Sequence, residues 1–192
     1  MNTKVFYIIR YRKELLEYLL ADEGRFAKTP SIIDYVLHNE KWYIYHYLRH
    51  LRFVEYYQFK LRGSKFWLIP FFYHWLRWKR LGFKLRFTIY PNTCGPGLII
   101  YHTGDFVHVG KNVHIGKNCT SLPGVVFSSK SSNDEVLVGD NCRFGLGVRI
   151  FGAVKIGSNV TIGANAVITK DLPDNCVAAG IPAKVIKTTV NK

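Results

Sequence analysis

The chain has 192 residues, 48% of them apolar, which is enough for one domain with a buried core and at most a small second one. Its formal net charge of +14 predicts an anionic partner, such as nucleic acid, an acidic membrane surface or a phosphorylated ligand. No secretion signal is evident, and no apolar run approaches the roughly 20 residues of a membrane-spanning helix, so we expect a cytoplasmic protein.

Residues 1–85 are predicted to form a helical region that is rich in basic and aromatic residues. A broken apolar stripe with helical spacing predicts a first helix over residues 4–21. Ser31 is a candidate cap for a second helix, and the pattern over 41–62 is compatible with a third that ends before Gly63.

Residues 41–88 differ from the rest of the chain in composition. They hold all four tryptophans, eleven Lys or Arg residues and a single acid, Glu55. Aromatic and basic residues favour the membrane interface, so this segment could lie on the inner face of a membrane. Alternatively, the aromatic residues pack within the protein or its oligomer. No recognised nucleic-acid motif accompanies the charge, so nucleic acid is an unlikely partner.

A six-residue period organises residues 136–170. Each block carries one large apolar residue, with a smaller apolar residue two positions before it; the large ones are Val138, Phe144, Ile150, Ile156, Ile162 and Ile168. Such a repeat is typical of a parallel β-helix, in which short strands stack, the apolar column points inward and Gly or Asn form the corners. Cys119 and Cys142 fall at inward positions, so we expect the cysteines to be core residues rather than disulfides.

The same register can be followed upstream through positions 109, 115, 121 and 127. It resumes at Val138, so about five residues must loop out, and the polar stretch 128–135 is the obvious place. A polar extrusion from a regular repeat often carries function, although a neutral surface insertion is the alternative.

The blocks end in a segment, 177–186, that contains Gly-Ile-Pro-Ala, and they resemble the hexapeptide-repeat acyltransferases. Gly95-Pro96-Gly97-Leu98-Ile99-Ile100-Tyr101-His102 is similar to the serine O-acetyltransferase branch. The resemblance implies a mainly β fold, a left-handed parallel β-helix over residues 86–192 with a loop at 128–135 and a C-terminal tail. It also implies acetyl-CoA as acetyl donor and a homotrimer with active sites between neighbouring helices.

The resemblance places His102 at the catalytic histidine. A neutral histidine near pH 7 can take the proton of an attacking hydroxyl and return it to the departing thiolate. By residue type alone, a lone histidine is more often structural or solvated. Two positions depart from the family: Thr88 replaces the aspartate that orients the base, and Tyr101 replaces the acid before the histidine.

The loop departs from the family as well. Asp134 and Glu135 stand roughly where the family has an Arg-His pair that contacts serine, and an acidic pair would repel a carboxylate. We therefore expect a saccharide acceptor in surface-polysaccharide synthesis, which could be lipid-linked, with Tyr101, Asp134 and Glu135 as substrate-binding residues. Serine O-acetylation in cysteine biosynthesis is the alternative, and a non-catalytic β-helical scaffold is an alternative of another class.

The resemblance also supplies candidates for binding acetyl-CoA. Two positions would face the pantetheine arm with their backbone, and four would hold the terminal part of the donor: Leu146 and Ala164, then Thr169, Lys170, Lys184 and Lys187. The histidines at 102, 108 and 114 recur every six residues and would lie on different sides of a coil, so we expect no metal.

Overall fold

The computed structural model describes residues 7–131 and 133–188, and in these it shows a left-handed parallel β-helix preceded by four α-helices. This confirms the predicted fold class. The helices are α1 Arg12–Glu23, α2 Ile32–Val36, α3 Glu40–Lys60 and α4 Leu68–Leu85, with a short 3-10 turn at Lys65–Trp67. One apolar core runs from α3 and α4 into the β-helix, so the division at residue 85 stays a prediction.

The first helix begins later than the apolar spacing predicts. Residues 7–10 are not helical, and Tyr11 is extended, with φ −116° and ψ 156°. Glu14 Oε2 accepts the backbone N–H of Arg10 at 2.6 Å and of Tyr11 at 3.1 Å, and this capping box starts the helix at Arg12. The prediction is therefore wrong for residues 7–11, and residues 4–6 lie outside the described part. The predicted cap at Ser31 is confirmed.

The strands form three sheets around a triangular coil. The first sheet contains β1 Phe87–Ile89, β3 Val107–Val109, β6 Val126–Ser128, β9 Arg149–Phe151 and β12 Val167–Ile168. The second contains β4 Val113–Ile115, β7 Val136–Val138 and β10 Val154–Ile156. The third contains β2 Ile99–Ile100, β5 Thr120–Ser121, β8 Arg143–Phe144, β11 Thr161–Ile162, β13 Cys176–Gly180 and β14 Ala183–Thr188.

The strand register confirms the predicted looping out. Arg143 pairs with Thr161, eighteen positions on, whereas Thr120 pairs with Arg143, twenty-three positions on. The difference of five residues falls in the loop between β6 and β7. The C-terminal tail folds back on the last coil, where β14 pairs antiparallel with β13. Residues 189–192 of the tail lie outside the described part.

The predicted inward column forms the core of the β-helix. All six large apolar positions are buried, and Ile150 has no exposed surface. Ser121, the weakest core residue of the register, is buried as well. All four cysteines are free and buried: Cys94, Cys119, Cys142 and Cys176. Asparagines with positive φ turn one of the three corners, at Asn118, Asn141, Asn159 and Asn175.

Buried charges connect the helices to the first coil. Arg52, in α3, has no exposed surface; its Nε donates to Asp22 Oδ2 at 2.7 Å, and Glu55 Oε2 accepts from its Nη1 at 3.1 Å. The same guanidinium donates to the carbonyls of Cys94 and Gly95. Buried charges persist where they are paired and hydrogen-bonded, so this network fixes the turn that leads into β2.

The basic aromatic segment is divided between core and surface. Trp78 is buried, and Trp42 and Trp75 pack against the core, so packing within the protein accounts for most of the tryptophans. Other large apolar residues point outward from α4 and the turn before it, at Phe66, Leu68, Ile69, Phe72, Tyr73 and Phe83. No helix within the described residues is both long and apolar enough to cross a bilayer.

Candidate active site

His102 lies at an enlarged corner of the first coil. Ile100 pairs with Ser121, twenty-one positions on, but His108 pairs with Val126, only eighteen on. By this register, the corner between β2 and β3 holds three more residues than the corresponding corner of the next coil, between β5 and β6. His102 has φ 67°, a left-handed conformation that non-glycine residues adopt rarely. Its side chain is 69% exposed, so a substrate can reach the imidazole.

A carboxylate from α3 orients this histidine. Glu40 is the first residue of α3, and its Oε1 lies 2.7 Å from His102 Nδ1. Its Oε2 accepts the backbone N–H of Thr103 at 2.9 Å and the hydroxyl of Thr103 at 3.1 Å. Although burial acts to raise it, hydrogen bonds from Thr103 and His102 hold the pKa of Glu40 below its ordinary value. The carboxylate is therefore ionised at neutral pH.

This arrangement fixes the chemistry of the imidazole. An ionised carboxylate only accepts hydrogen bonds, so in neutral His102 the proton must lie on Nδ1. Nε2 is then left with a free lone pair, which is what a general base needs. The acid expected at position 88 is missing, as the sequence indicates, but a different element replaces it. Sequence analysis did not find Glu40, because no motif links it to His102.

Two predicted donor-binding residues lie on the same edge as His102. This edge, which we call the histidine edge, consists of the corners between the third and first sheets: 101–106, 122–125, 145–148 and 163–166. Leu146 and Ala164 occupy it in successive coils, and the N–H of Asn165 donates to the Leu146 carbonyl at 2.7 Å. Leu146 and Ala164 are exposed, so the histidine edge presents accessible residues in two successive coils.

The substrate-binding candidate Tyr101 is also exposed on that edge, next to His102, but the remaining site candidates do not lie there. The corners between the first and second sheets form a second edge, which we call the loop edge: 110–112, 129–135, 152–153 and 169–171. It carries Thr169 and Lys170, both exposed, and the extruded loop with Asp134 and Glu135. Asp134 Oδ2 accepts the backbone N–H of Ser131 at 3.0 Å, within the loop itself. Within one chain, the loop acids and His102 are thus on different edges.

The last two donor-binding candidates and the histidines that follow His102 at six-residue spacing lie elsewhere on the coil. Lys184 and Lys187 are exposed on β14, opposite Ala179 and Val177. His108 and His114 lie in β3 and β4, which belong to different sheets from each other and from β2. Among the residues that the structure describes, no three His, Cys, Asp or Glu side chains are grouped as metal ligands would be.

Two open clefts border the site on the side of α4. The first, of about 510 Å³, is lined by Glu40 and Thr103 together with His38, Tyr43, Lys84 and Arg86. The second, of about 590 Å³, includes Arg86 again and continues along Lys79, Phe83 and Thr88. The only carboxylate in either lining is Glu40, so both clefts are basic apart from the residue that holds His102.

Comparisons with known proteins agree with this architecture. A family model described as the hexapeptide repeat of succinyl-transferase matches residues 135–170. The chain is 46% identical over 52 residues to the galactoside O-acetyltransferase of Escherichia coli, covering 27% of this chain and 26% of that one. It is 31% identical over 102 residues to the serine acetyltransferase of Synechococcus elongatus, covering 51% and 41%. The chain thus spans less than half the length of these curated relatives.

Solved structures show the same fold over nearly the whole chain. The serine acetyltransferase of Neisseria gonorrhoeae has a TM-score of 0.70 at 24% identity, covering 94% of this chain and 67% of that one. A serine acetyltransferase in complex with CoA has a TM-score of 0.69 at 18% identity, covering 91% and 71%. In its stacked hexapeptide coils the chain is thus similar to hexapeptide-repeat transferases, and it shares the left-handed β-helix fold and the helical N-terminal region of the solved serine acetyltransferases.

Proposed function

We propose that the protein is an O-acetyltransferase that uses acetyl-CoA. The observation that carries this proposal is the Glu40–His102 pair on an edge where Leu146 and Ala164 are exposed in successive coils. In the proposed reaction the acceptor hydroxyl oxygen attacks the thioester carbonyl carbon while His102 Nε2 takes the hydroxyl proton. The carbon–sulfur bond then breaks, and His102 returns the proton to the thiolate. No acyl-enzyme is needed if both substrates meet in one cleft.

The donor is proposed to lie along the histidine edge. Leu146 and Ala164 would face the pantetheine arm, and the exposed Lys170, Lys184 and Lys187 would pair with phosphates of CoA, with Thr169 beside them. A relative in the fold has been solved in complex with CoA, which supports this donor.

A saccharide hydroxyl is the proposed acceptor. Relatives named galactoside O-acetyltransferase acetylate sugars, as their name says, and the chain lacks the basic pair that would hold the carboxylate of serine. Tyr101, exposed beside His102, and the loop acids Asp134 and Glu135 could hydrogen-bond neighbouring sugar hydroxyls. Such a reaction would belong to surface-polysaccharide synthesis. Serine remains the second candidate, because other relatives are named serine acetyltransferases.

A homotrimer is proposed because the site candidates are distributed over two edges. His102, Leu146 and Ala164 lie on the histidine edge, whereas Lys170 and the extruded loop lie on the loop edge. Two edges of one triangular prism cannot face a single cleft. If the loop edge of one subunit lies against the histidine edge of the next, a closed three-fold ring brings all candidates together three times.

Association with the inner face of a membrane is proposed for α4. Its outward face combines the apolar Ile69, Phe72 and Phe83 with Lys79 and Arg80, and the chain has no acid between Glu55 and Asp105. A helix of this kind can lie in the interface of an anionic membrane without crossing it. Such a location would suit an acceptor that is linked to a lipid.

The first experiment measures thiol release from acetyl-CoA with sugars, oligosaccharides and serine as acceptors. Wild type should turn over a saccharide, and His102→Ala should lose roughly 10²- to 10⁴-fold in kcat, the usual contribution of a general base. Turnover of serine alone would make serine the acceptor. A scaffold would bind no acetyl-CoA, which calorimetry would reveal.

A further inference from the structure

We propose that the acceptor of the reaction carries a phosphate ester, which Lys84 and Arg86 bind in the cleft beside Glu40. This inference rests on the proposed acetyl transfer and specifies its acceptor class. Both cations line the same 510 Å³ cleft as Glu40 and Thr103, the two residues that hydrogen-bond to each other and position His102. A ligand that fills this cleft therefore contacts both cations and lies against the Glu40–Thr103 pair that holds His102.

The electrostatics of the cleft favour an anion. Arg86 makes no side-chain hydrogen bond, ion pair or ring contact with the described residues, and Lys84 Nζ contacts only the ring of Tyr43, 3.8 Å from its centroid. Glu40 forms no ion pair with either cation among the described residues, and its two oxygens accept from His102 and Thr103 instead. Two unpaired cations converging on a cleft are a common arrangement for phosphate recognition.

The backbone of Arg86 gives an independent indication. Arg86 caps the C-terminus of α4 with φ 60° and ψ 32°, a left-handed position at which glycine is the usual residue. Non-glycine residues are disfavoured in this conformation, and such strain is concentrated at ligand sites. The conformation therefore points to a ligand, and Arg86 belongs to the lining of both clefts.

The cations are poorly placed for the phosphates of CoA. α4 leads directly into β1, the first strand of its sheet, whereas the lysines proposed for CoA follow β12 or lie on β14 at the other end. Four strand-to-strand steps of about 4.8 Å separate β1 from β12, roughly 19 Å in all. Lys79, in the adjoining cleft, extends the cationic row away from His102, which leaves room for a second phosphate.

The test compares binding and turnover of galactose and galactose 1-phosphate by the full chain. Arg86→Gly removes the charge and relaxes the left-handed backbone, so a weaker ligand affinity cannot be explained by lost stability. Lys84→Gln removes the second cation, and Arg80→Gln is the matched control, because Arg80 is an exposed cation of α4 that lines neither cleft. We expect calorimetry to show galactose 1-phosphate binding weakened roughly 10- to 100-fold in Arg86→Gly, with the KM for acetyl-CoA unchanged.

Each outcome decides one question. Equal binding of galactose 1-phosphate by wild type and Arg86→Gly, no binding by wild type, or equally tight galacturonate would overturn the phosphate site. His102-dependent turnover of neutral galactose without any advantage from the phosphate would refute this inference and leave the acetyltransferase intact. Arg86-dependent binding without turnover of any acceptor would do the reverse. Polyprenyl diphosphate-linked galactose and UDP-galactose, used as acceptors, distinguish a lipid-linked from a nucleotide-linked source.

Discussion

Glu40 and His102 are 62 positions apart in sequence and 2.7 Å apart in space. In enzymes that use histidine as a base, a carboxylate on the second nitrogen keeps the ring in one tautomer and orientation. Here the start of α3 provides this carboxylate, and the same carboxylate also fixes the next residue of the corner, Thr103. The orientation of the base thus depends on how the helical region packs against the first coil.

Replacing Glu40 with glutamine should lower kcat by roughly 10²- to 10⁴-fold, because losing the carboxylate that fixes the tautomer of a histidine base costs up to about 10⁴-fold in a catalytic triad. The amide keeps the shape of the side chain but no longer requires the proton of His102 to lie on Nδ1. The KM for acetyl-CoA should stay unchanged, and ¹⁵N NMR of the imidazole should show a shift of the neutral tautomer away from Nδ1–H.

The control for this variant is Glu17→Gln, which alters an exposed acid of α1. It should change neither kcat nor the tautomer. If Glu40→Gln kept the wild-type kcat and an unchanged ¹⁵N spectrum, Glu40 would not position His102.

The sequence predicts His102 but not Glu40, and the reason is physical. His102 is recognisable because it follows Gly-Pro-Gly and sits in a repeat, so its neighbours in sequence are also its neighbours in space. Glu40 reads as an ordinary acid in the first turn of a helix, where it also suits the helix dipole. Only the packing of α3 against the first coil reveals that Glu40 also contacts His102.

Among the larger elements, α3 and α4 enclose a group of histidines that are kept neutral. His50 Nδ1 lies 2.9 Å from His74 Nδ1, and His46 packs near His50 with a ring separation of 6.4 Å. Burial lowers the pKa of His50 to about 3 and the pKa values of His46 and His74 to about 4, and the nearby Arg49 adds to this effect in all three.

Acidification should therefore destabilise the helix pair. In the unfolded chain these histidines take up protons near pH 6.5, whereas in the folded chain they do so only near pH 3–4. The unfolded state binds more protons within that window, so stability must fall as the pH decreases from about 6.5 towards 4. Thermal melts should show a Tm that drops over this range, and His50→Gln should reduce the slope.

A suitable control for the acid effect is His38→Asn, which removes an exposed histidine while asparagine tolerates its left-handed φ of 54°. This variant should keep the wild-type slope. If the Tm of wild type were constant between pH 7 and 5, the three histidines would not be neutral in the folded state.

The outward face of α4 leads to a prediction about membranes. Ile69 and Phe83 are 82% and 90% exposed, on a helix whose exposed charges are all basic. Cosedimentation with vesicles that contain phosphatidylglycerol should exceed cosedimentation with phosphatidylcholine vesicles, and added salt should weaken it. Ile69→Ser and Phe83→Ser should each reduce binding, because each removes apolar area from the interface.

Leu37→Ser provides the comparison, since Leu37 is an exposed apolar residue that follows α2, outside the basic segment. It should leave vesicle binding unchanged. Binding that is indifferent to lipid charge, or equally reduced by Leu37→Ser, would argue that the α4 face contacts protein instead.

The two kinds of element differ in how well the sequence predicts them. The coils are predictable because every hexad repeats the same burial pattern, so the register can be followed from Val109 to Phe127 and again from Val138 to Ile168. The ends of the helices are harder to predict. In α1 the apolar spacing extends before Arg12, but the capping box of Glu14 determines where the helix starts. The three extra residues at the His102 corner are invisible in a register that only counts apolar positions.

At the level of the whole molecule, the triangular cross-section bears on the proposed homotrimer. Leu146 and Ala164 share the histidine edge with His102, but Lys170 lies on the loop edge. If Lys170 binds CoA as proposed, a single chain offers two half-sites that face different directions. In the proposed trimer a neighbouring copy, turned about a three-fold axis, sets the loop edge of one chain against the histidine edge of another.

This geometry predicts complementation between two inactive variants. His102→Ala removes the base on the histidine edge, and Lys170→Glu places a negative charge where a phosphate of CoA is proposed to bind on the loop edge. When the two variants are coexpressed and form mixed trimers at random, about a quarter of the clefts should combine two intact edges, because each edge has about an even chance of being native. Activity should return to roughly a quarter of wild type.

Variants mixed after separate assembly serve as the control and should stay inactive. If coexpression restored nothing while the mixed trimers formed, both edges of a working site would have to come from one chain, and the proposed arrangement of subunits would be wrong.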